Sequence, residues 1–176
     1  GQDHLLEEGK KEAQLHFVGN TMIDTLLAFE EEIQKSPVLE ELGVEGESYA
    51  LMTLHRPATV DHREGLEKML ELTRSITEDR KLVFPIHPRT EARLKENGMH
   101  GELKGVEGLI LSKPLGYFGF QRLIKEASFV LTDSGGIQEE TTYRKVPCLT
   151  LRANTERPST TEIGTNTLVP FDTEEL

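Results

Sequence analysis

The run Leu131-Thr132-Asp133-Ser134-Gly135-Gly136-Ile137-Gln138-Glu139-Glu140 constrains this chain more than any other stretch. It follows Ser128-Phe129-Val130, an apolar, β-branched and aromatic approach that reads as a buried strand. What comes after the glycines reads as a helix. Two adjacent glycines therefore stand where a strand turns into a helix. Such a junction offers free backbone N–H groups and the positive end of a helix dipole, which together suit a phosphate. Without a Cβ in the way, a diphosphate can approach the backbone closely. The acidic pair falls on the first turns of the helix, where a carboxylate can accept hydrogen bonds from sugar hydroxyls. The same stretch also fits a plain tight turn with a solvated acidic helix start.

The remaining pattern alternates. Residues 14–18 read as a short apolar strand, and Asn20 as the cap of a helix carrying Met22, Ile23, Leu26, Leu27 and Ile33 at helical spacing. Strands are expected at 49–54, 81–86, 109–111, 129–131, 147–151 and 167–169. Helices are expected through Leu66, Met69, Leu70 and Ile76, and at 90–96, 120–127 and 136–144. Strands alternating with helices predict an α/β fold: a doubly wound parallel sheet covered on both faces. At 176 residues and 36% hydrophobic content the chain is one domain of ordinary size with a real core.

Charge narrows the partners. A net charge of -11 argues against nucleic acid and against an anionic membrane surface. Any phosphate site must be local, made of backbone N–H groups and a few basic side chains. The single cysteine, Cys148, sits in an apolar run and reads as a core residue on a strand, so no disulfide framework is possible within one chain. No run approaches the roughly 18 apolar residues of a membrane span, and no signal peptide is evident, which predicts a cytoplasmic protein. The six histidines show no close ligand spacing, so no metal is expected. The polar start, and an end in which Asp172 reads as the N-cap of a helix cut short, suggest a piece of something longer.

In a parallel sheet, ligands bind outside the carboxyl ends of the strands. That rule gathers His55-Arg56-Pro57, Ile86-His87-Pro88-Arg89, the loop 114–120, Asp133-Ser134-Gly135-Gly136 and Arg152-Ala153-Asn154-Thr155-Glu156-Arg157-Pro158 on one edge. They supply basic groups, small turns, aromatic rings and carboxylates, an inventory that fits a phosphorylated ligand with a flat base. Taken singly, His55 and His87 also fit hydrogen-bonded structural histidines. Arg56 and Arg157 also fit surface charges, and Phe118 and Phe120 core residues.

These residues occur in the order and at the spacing of a known family. Val18-Gly19-Asn20-Thr21-Met22-Ile23-Asp24, His55-Arg56, Pro85-Ile86-His87-Pro88, Pro114-Leu115, Asp133 to Glu140, Thr155-Glu156-Arg157-Pro158 and Glu162-Ile163-Gly164-Thr165 resemble the non-hydrolysing UDP-N-acetylglucosamine 2-epimerases over nearly the whole chain. The resemblance implies a Rossmann-like domain, the second half of a glycosyltransferase-B-type two-domain protein. Residues 1–16 would be a remnant of the interdomain crossover and 17–176 the UDP-binding domain. The first domain and the final helix would be absent, leaving the isolated chain inactive.

The implied reaction interconverts UDP-GlcNAc and UDP-ManNAc by eliminating and re-adding UDP, with no redox cofactor, in a homodimer. By position, Ser134, Gly135 and Gly136 would hold the diphosphate, with Arg56 beside them. Glu140 would bond the ribose and Phe120 would sit by the uracil. His55 would work at the reaction centre and Arg157 would help neutralise the leaving UDP. His87 would be an allosteric or supporting residue. Where the family continues His-Arg-Arg-Glu-Asn, this chain has His55-Arg56-Pro57-Ala58-Thr59-Val60-Asp61. That change bears on any phosphate or allosteric contact made there and leaves His55 and Arg56 in place. The rival readings are the donor-binding half of a glycosyltransferase, and a sugar-nucleotide sensor that has lost activity.

Overall fold

A computed structural model describes residues 2–171 of the chain. Six strands form one sheet: β1 (Tyr49–Thr53), β2 (Lys81–Pro85), β3 (Leu109–Ser112), β4 (Phe129–Thr132), β5 (Cys148–Thr150) and β6 (Asn166–Leu168). Their order is β3-β2-β1-β4-β5-β6, and every pairing is parallel. This is the doubly wound Rossmann-like arrangement, with strand order reversing between β1 and β4.

Alternation along the strands explains why both faces are covered. Ala50 and Met52 of β1 point into one core with Leu82, Phe84, Leu66, Met69 and Leu94. Tyr49 and Leu51 point into the other, with Val83, Val130, Leu123, Ile124 and Ile137. Successive side chains of a strand face opposite sides, so a sheet buried on both faces requires near-continuous apolar strands. Cys148 lies buried on β5, as expected, and burial pushes its thiol up. Among the described residues no helix is long and apolar enough to cross a membrane.

Three expectations need correction. Residues 14–18 form no strand: Glu12–Gln14 is a short 3-10 turn, and Phe17 and Val18 stand 84% and 73% exposed. The sheet ends at β3 and β6, so this segment has no partner strand to satisfy its backbone. The helix after Asn20 is broken in two, Thr21–Ala28 and Glu30–Gln34, at Phe29 (φ -111°, ψ 17°). Phe118 is exposed rather than buried, its ring 5.5 Å from that of Phe29. The cap at Asn20 is present, its side chain accepting from the Met22 N–H. Asp172 lies outside the described residues.

Candidate functional site

The reversal of strand order opens a crevice at the carboxyl ends of β1 and β4, and both ends carry expected residues. Thr53 of β1 pairs with Thr132 of β4, so His55 and Asp133 emerge side by side. Asp133 is fully buried. Its Oδ2 accepts from the backbone N–H groups of His55 (2.8 Å) and Arg56 (2.7 Å). Its Oδ1 lies 3.1 Å from His55 Nδ1 and receives no in-line hydrogen bond. Burial alone would push the Asp133 carboxyl up. The His55 imidazole and the two N–H groups outweigh it and hold the carboxyl below the usual carboxylate range.

Next in the chain, Ser134 is the N-cap of the helix Gly135–Arg144, with extended backbone (φ -86°, ψ 135°). Its N–H donates to Thr132 Oγ1, and its side chain makes no capping bond. A ten-residue helix thus points an uncapped first turn at the crevice, leaving N–H groups unfilled. Gly135 is closely approached by a side chain as well as being a point of access. A Cβ there would overlap Glu156 Oε1 and lie 3.2 Å from its Cδ. At Gly136 a Cβ would meet Met22 Cε at 2.9 Å.

Cations converge on this spot despite the chain's net negative charge. Arg152 Nη1 lies 2.8 Å from Glu156 Oε2, and Arg56 Nη2 lies 3.9 Å from Oε1. The Glu156 carboxyl is held below its ordinary range, first by its own backbone N–H and then by Arg152. A hollow of about 360 Å³ lies beside them, bounded by Arg56, Thr59, Arg152 and Asn154. A second, of about 560 Å³, lies between the Thr21–Ala28 helix and Arg157 and contains Glu139. Arg157 Nε is 3.3 Å from Glu139 Oε2. Another hollow, of about 780 Å³, lies at the amino ends of β2 and β3 among charges of both signs, away from this chemistry.

The Arg157 loop is fixed by a polar network built around buried Gln138. Gln138 Oε1 accepts from Thr155 Oγ1 (2.5 Å) and Asn166 Nδ2 (3.1 Å). Asn166 also donates to Thr160 and accepts from Thr150. Thr155 Oγ1 accepts from the Arg157 N–H, and Thr160 Oγ1 donates to the Arg157 carbonyl. The backbone of Arg157 is thus held from both sides.

His87 is the N-cap of the helix Pro88–Glu96, its Nδ1 accepting from the Arg89 N–H at 3.1 Å. Thr90 Oγ1 donates to the Leu54 carbonyl and pins that helix to the end of β1. The two imidazole rings stand 5.1 Å apart. Burial, with the charges of His55 and Arg89, pushes His87 down. The altered loop after His55 has a local explanation: Pro57 is the first residue of the short helix Pro57–Val60, capped by Arg56 in extended backbone.

Of the remaining expected residues, Glu140 is buried and its carboxyl is pushed up by burial, against a hydrogen bond from Gln121 and the charge of Arg144. Phe120 packs half-buried on one core, so the more open rings are Tyr117 and Phe118. The structure therefore gathers His55, Arg56, Ser134 and Gly135 at the crevice, with Gly136 and Arg157 on its rim. Asp133, Arg152 and Glu156 join them. All three stood within the strand-end segments gathered from the sequence, without a role attached.

Comparison with known proteins gives this arrangement a context. A family model described as UDP-N-acetylglucosamine 2-epimerase matches residues 1–176. The UDP-N-acetylglucosamine 2-epimerase of Methanocaldococcus jannaschii is 42% identical over 99% of this chain and 49% of its own length. The crystal structure of that organism's enzyme, in complex with UDP-GlcNAc and UDP, superposes with a TM-score of 0.90 at 42% identity, covering 99% of this chain and 49% of that one. The Neisseria meningitidis UDP-GlcNAc 2-epimerase bound to UDP-GlcNAc gives 0.82 at 29% identity, covering 99% and 48%. The chain spans about half the length of these relatives.

Proposed function

The chain belongs to the UDP-N-acetylglucosamine 2-epimerase family, and on that premise we propose that it is the UDP-binding half of an enzyme interconverting UDP-GlcNAc and UDP-ManNAc in the cytoplasm. The observation that carries the reading is the uncapped Ser134-Gly135-Gly136 helix start at the strand-order reversal, beside His55 and three arginines. The diphosphate takes the Ser134 hydroxyl and the first-turn N–H groups, where the helix dipole favours negative charge. Arg157, with Arg56 and Arg152, offsets the charge of the leaving UDP. Glu140 serves the ribose, and the Tyr117–Phe120 segment the base.

In the reaction, C2 of the sugar loses its proton and the C1–O bond to the diphosphate breaks, releasing UDP and a 2-acetamidoglucal. UDP then adds back at C1 as C2 takes a proton on the opposite face. His55, next to the departing diphosphate, moves a proton or stabilises the charge that develops there. The carboxylates for the C2 proton belong to a facing half, which makes the cleft between the two halves of a glycosyltransferase-B arrangement the reaction site. Family membership and the geometry of the helix start both support this reading.

The test has two parts. Calorimetry on the 176-residue chain should give saturable, weak UDP binding. A full-length enzyme carrying this half should form UDP-ManNAc from UDP-GlcNAc. Absence of UDP binding by the folded chain would remove the nucleotide reading. Binding without epimerisation by the full-length enzyme would leave a sensor.

A further inference from the structure

We infer that Asp133 is the positioning residue for His55: its buried carboxylate holds the imidazole with Nδ1–H inward, so that Nε2 is the nitrogen that exchanges a proton in the crevice. Three observations carry this. Asp133 is fully buried, and a carboxylate buried without partners is costly. Its Oδ2 is committed to two backbone N–H groups, those of His55 and Arg56. Its Oδ1 has one candidate donor within reach, His55 Nδ1 at 3.1 Å, and no other hydrogen bond. The contact is close but off-line, and catalytic hydrogen bonds tighten on the way to the transition state.

The second imidazole does not compete for this role. His87 Nδ1 is occupied as the acceptor of the Arg89 N–H, and burial disfavours its charge. The charged groups facing His55 are thus Asp133, from the end of β4, and Arg56, its own neighbour on the β1 loop, with the His87 ring packed alongside.

The arrangement has a mechanical consequence. Asp133 immediately precedes Ser134, Gly135 and Gly136. The loop that would hold the diphosphate therefore also holds the carboxylate that aims the imidazole. His55 and the leaving group are registered to each other through one residue, although His55 and Asp133 are 78 positions apart in sequence. This inference rests on the proposed nucleotide site for its mechanistic use, but the Asp133–His55 pair is measurable without nucleotide.

The experiment reads the tautomer of His55 in the ¹⁵N-labelled chain at pH 8, above the ordinary imidazole range of about 6.5. Long-range ¹H–¹⁵N correlations tell a protonated Nδ1 from a protonated Nε2. The wild type should carry its proton on Nδ1. In Asp133→Asn, the amide oxygen keeps the two backbone bonds and the amide N–H₂ faces the ring, so the proton should move to Nε2. UDP affinity should stay within about threefold, because no phosphate contact is lost. In a full-length enzyme kcat should fall about 10²–10⁴-fold, the worth of one positioned acid or base, with KM little changed.

A proton on Nε2 in the wild type overturns the inference, whether or not the variant folds. So does an unchanged tautomer in folded Asp133→Asn. Loss of UDP affinity and stability with no tautomer change would make Asp133 a purely structural brace. A wild-type chain with Nδ1–H but no UDP binding would uphold the pair and overturn the nucleotide reading.

Discussion

Replacing Gly135 by alanine separates what the glycine does for the fold from what it does for a ligand. Gly135 is the first residue of the Gly135–Arg144 helix, where alanine is favoured over glycine by up to about 1 kcal/mol. Against that gain, the new Cβ overlaps the Glu156 carboxylate. That carboxylate is the free end of a half-exposed side chain and can swing away. Moving it sacrifices the ion pair with Arg152, at 18% and 48% side-chain exposure, which is worth about 1 kcal/mol at most. The two terms nearly cancel. Gly135→Ala should therefore unfold within about 1 kcal/mol of wild type, a shift of roughly 2–4 °C at this chain length.

The same methyl stands where the diphosphate must approach the backbone. Losing two charge-assisted hydrogen bonds at about 1.5–3 kcal/mol each should weaken UDP binding about 100-fold or more. Gly65→Ala is the control. There the Cβ would overlap the carbonyl oxygen of Thr59 and lie 3.1 Å from its carbon, and a backbone group cannot swing away. That variant should lose about 1–3 kcal/mol or more of stability. Thermal melts and UDP calorimetry on the three proteins decide the matter. If Gly135→Ala binds UDP within about threefold of wild type, no diphosphate approaches Gly135. If it loses more than about 3 kcal/mol of stability, the glycine serves packing alone.

Arg157→Ala should weaken UDP binding about tenfold or more, the loss of one charge-assisted bond, with stability changed by about 1 kcal/mol at most, since its ion pair with Glu139 is partly exposed, at 43% and 20% of the two side chains; equal calorimetric affinity would remove Arg157 from the site. Asn166→Ala leaves Gln138, Thr150 and Thr160 each short of a buried partner, so it should cost about 1–3 kcal/mol in urea unfolding and also loosen the Arg157 loop, lowering UDP affinity. For His87 the folded chain disfavours the proton relative to the unfolded chain. As the pH falls below about 6.5 the unfolded chain binds a proton first, so this contribution to stability is present above that pH and lost below it. Between pH 7.5 and 5.5, wild type should therefore lose urea stability relative to His87→Asn, which keeps an N-cap acceptor and does not titrate; parallel losses would show that His87 is uninvolved.

How much of this was legible in the sequence depends on how far apart the interacting residues lie. The strands were readable because most are short, nearly continuous apolar runs bounded by polar turns, β6 with its Asn166 and Thr167 being the exception, and their edges fell within a residue or two of expectation. Asn20 and the Ser134 junction were readable because a cap is a local event, settled within four residues. Residues 14–18 misled because an apolar run signals a strand only if a neighbour exists to pair with it, and pairing is not local. The short helix Pro57–Val60 was signalled by a proline at its first position and was passed over.

The deepest part of the site was beyond any local signal. Asp133 stood in the Asp133-Ser134-Gly135-Gly136 motif on the expected binding edge, with no role of its own. Its significance comes from the parallel pairing of Thr53 with Thr132, which carries it against His55. Nothing in either segment announces that β1 and β4 are neighbours, since seven helices and strands intervene between 53 and 129, with β2 and β3 on the other side of β1 from β4. Glu156 is a parallel case: its carboxylate comes against position 135 only once the loop after β5 is folded over the helix start. The phosphate-accepting backbone is thus written locally, whereas the groups that orient and charge it are written in the strand order. A sequence pattern can therefore name the ligand class of such a site, but only the assembled sheet says which carboxylate aims which imidazole.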